Sequence, residues 1–166
     1  MSFSPPVPFN IFDYFLGDRL REGLGRRRAL VWDGGSMTYT GVHEASGRYA
    51  RLLLDSGVRP EERVIVALPD GPDWVAAFFG ILRMGGVVVM VNPDLKPAQL
   101  RQFYEYTRAR AAFVGTDQAD TFREAAEGSR HVPSLIEVGG AGFAKNLAAS
   151  SPDVPTFPSH PDDPAI

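Results

Sequence analysis

Short apolar runs alternate along this chain with longer segments in which apolar residues recur every three or four positions. The runs lie at residues 63–68, 87–91, 111–114 and 135–138. The helical pattern occupies residues 71–84, 97–108 and 120–127. Runs of consecutive Val, Ile and Ala, without intervening polar residues, are typical of strands covered on both faces. The pattern therefore predicts an α/β fold, a layered and mostly parallel sheet flanked by helices.

A short amphipathic helix is predicted close to the amino terminus. In residues 9–20 the pattern places Ile11, Phe15 and Leu16 on one helical stripe. Asn10 stands where a helix cap is expected, because its side-chain oxygen can accept from a free backbone N–H group.

A hairpin and a longer helix are predicted next. Residues 29–32 and 37–39 are short extended runs around a glycine turn, which is the pattern of a hairpin. Thr40 is a suitable cap for a helix over residues 41–55, and Gly57 can supply the left-handed stop after it.

The composition changes after Val138. Residues 139–166 are rich in glycine, serine and proline, which predicts a loop or linker. Residues 161–166 have the pattern of a turn that leads into an apolar strand interrupted at its second residue. We therefore expect residues 1–138 to form an α/β subdomain, with residues 1–8 as an arm, and residues 139–166 to connect it to further structure.

Composition narrows the class of protein. The chain has 166 residues, of which 44% are hydrophobic and 22% charged, enough for one globular core. A net charge of −3 gives no electrostatic reason to expect nucleic acid or an anionic membrane as a partner. The chain has no cysteine, no apolar run long enough to span a bilayer and no visible signal peptide, which favours a cytoplasmic location.

The sequence predicts no catalytic residue and no metal site. It has no G-x-G-x-x-G, no G-x-x-x-x-G-K-[ST] and no G-x-S-x-G. His43, His131 and His160 are too far apart to suggest a metal cluster, and we interpret residues 26–28, three arginines, as a solvated loop.

Three segments together resemble the N-terminal part of the adenylate-forming superfamily, which includes acyl- and aryl-CoA synthetases. Residues 37–42 (MTYTGV) are similar to its first core motif, although Gly41 and Val42 replace the usual Glu and Leu. Residues 57–64 (GVRPEERV) resemble a connector of that family. Residues 74–93 (WVAAFFGILRMGGVVVMVNP) resemble the helix, glycine turn and strand of its second core motif.

Within the superfamily, the chain is most similar to benzoate- and 2-aminobenzoate-CoA ligases. The similarity lies in Phe9-Asn10, in residues 18–25 (DRLREGLG) and in residues 162–165 (DDPA). In relatives, that last segment continues directly into the loop that holds the ATP phosphates. The resemblance therefore implies the N-terminal subdomain of such an enzyme, with the ATP-binding region further along the polypeptide.

The resemblance also implies an activity for the complete enzyme. An aromatic carboxylate would react with ATP and Mg²⁺ to give an acyl-adenylate, and the thiol of CoA would then displace AMP. The fragment alone is expected to bind none of these and to be inactive. Its partners would be the central and C-terminal regions of the same enzyme, or a second copy in a homodimer, because an uncovered apolar face favours association.

Two weak candidates for CoA contact follow from the same resemblance. Some related ligases place a basic residue after the Asn-Pro pair, where it meets the 3′-phosphate of CoA. Asp94 stands at that position here and would repel a phosphate, so Lys96 and Arg101 are the nearest substitutes.

Two alternative functions stay open at this point. One is a stand-alone binding or assembly module with the same fold that never makes an adenylate. The other is an adenylation domain that delivers its acid to a carrier-protein thiol instead of CoA.

Overall fold

The computed structural model describes residues 5–166, and a four-stranded parallel sheet lies at its centre. The elements in chain order are α1 (Asp18–Arg21), β1 (Arg28–Trp32), β2 (Gly35–Thr38), α2 (Tyr39–Asp55), β3 (Arg63–Ala67), α3 (Pro72–Arg83), β4 (Val87–Met90), α4 (Pro97–Thr107), β5 (Ala111–Gly115), α5 (Ala119–Ala126), β6 (Ser134–Val138) and α6 (Phe143–Ala149). The predicted α/β class with a parallel sheet is confirmed.

The strand order in the sheet is β4-β3-β5-β6. Val64 of β3 lies opposite Val88 of β4 on one side and Ala111 of β5 on the other. The chain thus crosses the sheet in one direction from β3 to β4 and in the opposite direction from β4 to β5. Right-handed crossovers then require α3 on one face of the sheet and α4 and α5 on the other. Two separate groups of buried side chains, one on each face, agree with this arrangement.

Helices α2 and α3 cover one face, which we call the α2/α3 face. They approach closely at Gly80, where an added Cβ atom would lie 2.8 Å from the carbonyl oxygen of Ser46. Helix α2 begins two residues earlier than the sequence predicted, because the side chain of Thr38, rather than that of Thr40, accepts from the Gly41 N–H group at 3.1 Å. Gly57 has φ +82°, which confirms the predicted left-handed stop.

Helices α4 and α5 cover the other face, which we call the α4/α5 face. Their packing is built around Tyr104 and Phe122, which are both fully buried. The Tyr104 hydroxyl donates to the carbonyl of Phe122 at 3.0 Å and ties the two helices together. The outer side of α4 is solvated, and Tyr106 there is 90% exposed.

The predicted amino-terminal helix forms, but its buried stripe differs from the prediction. A π-helical turn, Asp13–Gly17, precedes α1. The π-turn changes the angle between successive side chains. Phe12 and Leu16 therefore face the core, whereas Phe15 is 55% exposed, so the inclusion of Phe15 in the stripe was wrong.

The loop or linker predicted after Val138 contains a short helix that the sequence pattern did not predict. Residues 143–149 form the short helix α6, and Phe143 and Leu147 pack against the α2/α3 face. Residues 150–160, which we call the strap, then run across that face. The chain ends beside the free edge of β4, where the carbonyl of Ala165 accepts from the Val88 N–H group at 2.9 Å. The predicted turn lies at residues 161–163, and the strand expected to follow it stays a prediction.

Candidate functional site

The carboxyl ends of β3, β5 and β6 surround a crevice of about 300 Å³. It lies where the chain reverses its direction across the sheet, between β3 and β5. In open α/β sheets, ligands generally bind in such a crevice. Its lining consists of the turns after three strands, and its residues are Leu68, Pro69, Asp70, Gly71, Pro72, Asp73, Gly115, Thr116, Asp117, Gln118, Val138 and Gly139.

The charged side chains that line this crevice are all acidic. Asp70, Asp73 and Asp117 contribute carboxylates, and none of the lining residues is Lys or Arg. Asp73 accepts a hydrogen bond of 2.6 Å from the hydroxyl of Tyr49. Burial of the Tyr49 hydroxyl, followed by its bond to Asp73, raises the pKa of Tyr49 well above its usual range. The crevice is therefore an unfavourable environment for phosphate groups.

The crevice lining lacks the cationic side chains with which proteins commonly bind phosphate groups. A phosphate site requires backbone N–H groups, cationic side chains or a metal ion directed at the anion. Within residues 5–166, no group of three His, Cys, Asp or Glu side chains could hold a metal ion. The crevice likewise has no Lys or Arg side chain that could balance the negative charge of a phosphate. These residues therefore define no step of a reaction with ATP.

The two candidate CoA contacts lie at different places on α4. Lys96 is exposed and precedes the first residue of the helix, and its N–H group donates to the side chain of Gln99 at 3.1 Å. Arg101 is partly buried, and its Nε donates to the carbonyl of Ala125 in α5 at 3.3 Å. A role for either residue in CoA binding stays a prediction.

The turn after β4 carries the Asn-Pro pair that was noted in the sequence. Asn92 Oδ1 accepts from the Asp94 N–H group at 2.9 Å, which forms a local turn. Asp94 is solvent-exposed, so its carboxylate is open to the solvent just before Lys96.

Sequence reasoning missed two buried polar side chains of the α2/α3 face that bind distant backbone carbonyls. Arg83 is only 5% exposed, and its Nε donates to the carbonyl of Val154 at 2.6 Å. Asn10 does more than the predicted local capping, because its Nδ2 atom donates to the carbonyls of Leu82 and Phe157. The one available signal was an arginine at the end of a mostly apolar helix.

The other residues that were considered in the sequence lie where they were expected. His131 and His160 are in loops, and all three arginines of residues 26–28 are exposed, although Arg28 begins β1. His43 is on α2 and packs against Phe12, with the ring centres 5.1 Å apart. Across residues 5–166, none of the helices has the length and apolar character required to cross a bilayer.

Comparison with known proteins identifies the family to which this chain belongs. Residues 19–166 match the AMP-binding enzyme family. The chain therefore belongs to that family, as the three sequence motifs had indicated.

Relatives of known activity correspond to this chain over only part of their length. The chain is 32% identical to a 3-hydroxybenzoate–CoA ligase from Aromatoleum sp. (strain CIB), over 93% of this chain and 30% of the ligase. It is also 32% identical to triostin synthetase I from Streptomyces triostinicus, over 91% of this chain and 30% of that protein. The chain thus spans about 30% of the length of these curated relatives.

A solved structure confirms the fold. The chain superimposes on a benzoate CoA ligase from Burkholderia xenovorans LB400 with a TM-score of 0.83 and 29% sequence identity. The match covers 93% of this chain and 31% of that ligase. The parallel sheet and its helices therefore have the arrangement found in a part of that enzyme.

Proposed function

We propose that this chain is the N-terminal subdomain of an ATP-dependent aryl-acid CoA ligase and that it supplies structure but no catalytic residue. Residues 1–138 would form the subdomain, with residues 1–8 as its arm, and residues 139–166 would connect it to the ATP-binding region. The observation that carries this proposal is the family match over residues 19–166, together with coverage of about 30% of the relatives. The reactive groups would then lie in the other 70%.

The complete enzyme would join an aromatic carboxylic acid to CoA through an acyl-adenylate, using ATP and Mg²⁺. The similarity to hydroxybenzoate and benzoate CoA ligases supports an aromatic acid as the substrate. The absence of cysteine is consistent with a reducing cytoplasm as its location.

The chemistry of the crevice supports an inactive fragment. Acyl-adenylate formation develops negative charge on phosphate oxygens, which enzymes stabilise with N–H donors, cations and metal ions. The carboxylates of Asp70, Asp73 and Asp117 oppose that charge. ATP binding would therefore be the task of residues outside this chain.

Exchange of pyrophosphate into ATP tests the proposal directly. We expect no exchange with benzoate or 2-aminobenzoate for this chain alone, and exchange when the chain is joined to the remaining region of the ligase. The remaining region without this chain is the matched control and should also be inactive.

Each outcome of this experiment selects one hypothesis. Exchange by the isolated chain would refute an inactive fragment. A joined protein that activates no acid would favour the stand-alone assembly module. A joined protein that makes the adenylate but transfers the acid only to a carrier-protein thiol would favour the adenylation-domain alternative.

An aromatic cluster on α3 supports association with the rest of the enzyme. Trp74 and Phe78 are stacked with ring centres 5.2 Å apart, and Phe79 meets Phe78 edge-on. All three rings are only partly buried, and Met90 on the edge strand β4 is 50% exposed. Partly exposed aromatic surface of this kind favours an interface.

Size-exclusion chromatography with intact mass spectrometry tests this association. We expect the isolated chain to form a homodimer or larger species and to form a complex with the remaining region when the two are mixed. A soluble monomer of 18.1 kDa that forms no complex with the remaining region would contradict the predicted association.

A further inference from the structure

The strap is held against the α2/α3 face by a buried arginine. The guanidinium of Arg83 donates to the carbonyl of Val154 at 2.6 Å and to the carbonyl of His43 in α2 at 3.2 Å. Its central carbon lies 4.7 Å from the centre of the Phe12 ring. Arg83 thus joins α3 to three separate parts of the chain, namely the amino-terminal helix, α2 and the strap.

No carboxylate bonds to this guanidinium among the described residues. Burial lowers the pKa of Arg83, and the nearby charge of Asp153 opposes that effect. A buried charge needs hydrogen-bond partners to offset the loss of water. Those partners are backbone carbonyls, so the position of the strap backbone is part of what stabilises the charge.

Asn10 holds the other end of the strap. Its Nδ2 atom donates to the carbonyl of Leu82 at 2.8 Å and to the carbonyl of Phe157 at 3.0 Å, and it lies 3.3 Å from the hydroxyl of Ser159. The backbone adds two further bonds, from the Phe9 N–H to Ser159 and from the Phe157 N–H to Arg83, both at 2.8 Å.

Two glycines make room for the strap. A Cβ atom on Gly47 of α2 would collide with the backbone carbonyl of Pro152. A Cβ atom on Gly85 would collide with the ring of Phe157, and Gly85 also has φ +79°, which other residues rarely adopt. The helices and the strap are therefore fitted to each other at both ends.

We propose that Arg83 and Asn10 form a polar clamp that fixes the path of the strap and thereby sets where the carbonyl of Ala165 meets the free edge of β4. The strap passes the clamp at Val154 and Phe157, and only seven residues separate Phe157 from Ala165. Arg83 and Asn10 are thus positioning residues.

Within the ligase, the clamp would fix the position at which the polypeptide leaves this chain. The polypeptide that follows Ile166 would start from a fixed place beside β4, next to Val88. That consequence rests on the proposed function, whereas the clamp itself does not.

Amide hydrogen exchange followed by NMR tests the clamp in this chain. In Arg83→Met, we expect the N–H groups of Phe157 and Val88 to exchange about tenfold faster or more, because bonds from a charged donor are lost. The amides of β5, at the centre of the sheet, should accelerate by a clearly smaller factor. Arg83→Lys keeps the charge and should restore part of the protection.

Two further variants make the test specific. Asn10→Ala should also accelerate exchange at Phe157, and it provides the test if Arg83→Met does not fold. Arg101→Met is the matched control, because it removes an arginine-to-carbonyl bond on the α4/α5 face, and exchange at Phe157 and Val88 should stay unchanged.

Unchanged exchange at Phe157 and Val88 in both Arg83→Met and Asn10→Ala would overturn the clamp. Equal acceleration of the strap and of β5 would also overturn it, since the residues would then serve only general stability. No ligand takes part in these measurements, so their failure would leave the proposed function standing, and failure of pyrophosphate exchange would leave the clamp standing.

Discussion

The two faces of the sheet are built on different principles. On the α4/α5 face, two helices bury their apolar sides against the sheet, and bonds from Tyr104 to Phe122 and from Arg101 to Ala125 join them. On the α2/α3 face, the amino-terminal helix, α6 and the strap pack as well, and Arg83 and Asn10 donate to distant backbone carbonyls. Among the residues grouped with the two cores, most of the partly exposed aromatic rings lie on the α2/α3 face. Phe103 is the one such ring on the α4/α5 face.

The two faces also differ in how far apart in the sequence their stabilising contacts lie. The two helices of the α4/α5 face lie between β4 and β6 in the chain, so their contacts with each other are close in sequence. The α2/α3 face joins residues that are far apart in the chain, such as Asn10 and Ser159, which are 149 positions apart. We therefore expect apolar deletions to dominate the energetics of the first face, and close approach and polar bonds to matter more on the second.

The largest expected effect is an apolar deletion on the α4/α5 face. Phe122→Ala should lower the free energy of unfolding by about 3–5 kcal/mol, because a fully buried ring leaves a cavity. Urea unfolding followed by circular dichroism measures this loss. Tyr106→Ala, at an exposed position of the same face, should stay within about 0.5 kcal/mol of the parent. Equal effects of the two variants would contradict the description of this face.

The next effect tests the close approach of α2 and α3. Gly80→Ala should cost about 1–3 kcal/mol, because the new methyl group would press on Ser46, Tyr49 and Ala50 at 2.8–3.0 Å. Gly142→Ala is the matched control, since the nearest atom to its new methyl group would be 3.9 Å away. A stabilised Gly80→Ala variant in the same urea assay would show that the helices can separate at little cost.

Each face contains one buried tyrosine, Tyr49 or Tyr104. The loss of folding stability at alkaline pH compares the two. Burial raises the pKa of Tyr104 to about 12, and burial with the bond to Asp73 raises the pKa of Tyr49 further. Above pH 10 the unfolded chain loses these protons while the folded chain keeps them. Stability is therefore complete below pH 10 and falls above it, by up to about 1.4 kcal/mol per pH unit for each tyrosine.

Urea unfolding between pH 8 and 10.5 measures this slope. Tyr49→Phe and Tyr104→Phe should each flatten it, and the double variant should flatten it further. If neither single variant changes the slope, the tyrosines ionise as readily in the folded chain as in the unfolded one.

The smallest effect is expected at His43 in mildly acidic solution. Burial, and then the charge of Arg83, lower the pKa of His43, although Glu44 and Asp13 act in the opposite direction. The unfolded chain then takes up a proton more readily than the folded one, so stability should fall as the pH drops below about 6.5. His43→Gln should reduce the loss of stability between pH 7.5 and 5, and an unchanged loss in that variant would contradict this expectation.

Local patterns predicted the regular part of the fold closely. Each strand run at residues 63–68, 87–91, 111–114 and 135–138 became a strand with ends within one residue of the prediction. The predictions failed where tertiary contacts decide the outcome. Phe15 was misplaced by a π-turn, and α6 was missed in a segment whose composition is typical of loops.

The candidate site could be predicted only in outline. The sequence motifs indicated the family and an N-terminal position, and the family match confirmed the former. The acidic character of the crevice could not be predicted from the sequence. Asp70 and Asp73 follow β3 and Asp117 follows β5, so only the folded sheet brings them to the same crevice. Lys96 and Arg101 are five positions apart but have different surroundings. Lys96 is exposed, whereas Arg101 is bonded to α5.

The sequence by itself determined that this protein is a parallel α/β structure, because the periodicity of apolar residues specifies which faces are buried. Its three motifs, and not that periodicity, indicated the AMP-binding family. The tertiary structure alone decided that the strap belongs to the fold and that Arg83 holds it. The reason is that Arg83 and Asn10 bind backbone carbonyls, which every residue carries and no sequence pattern marks.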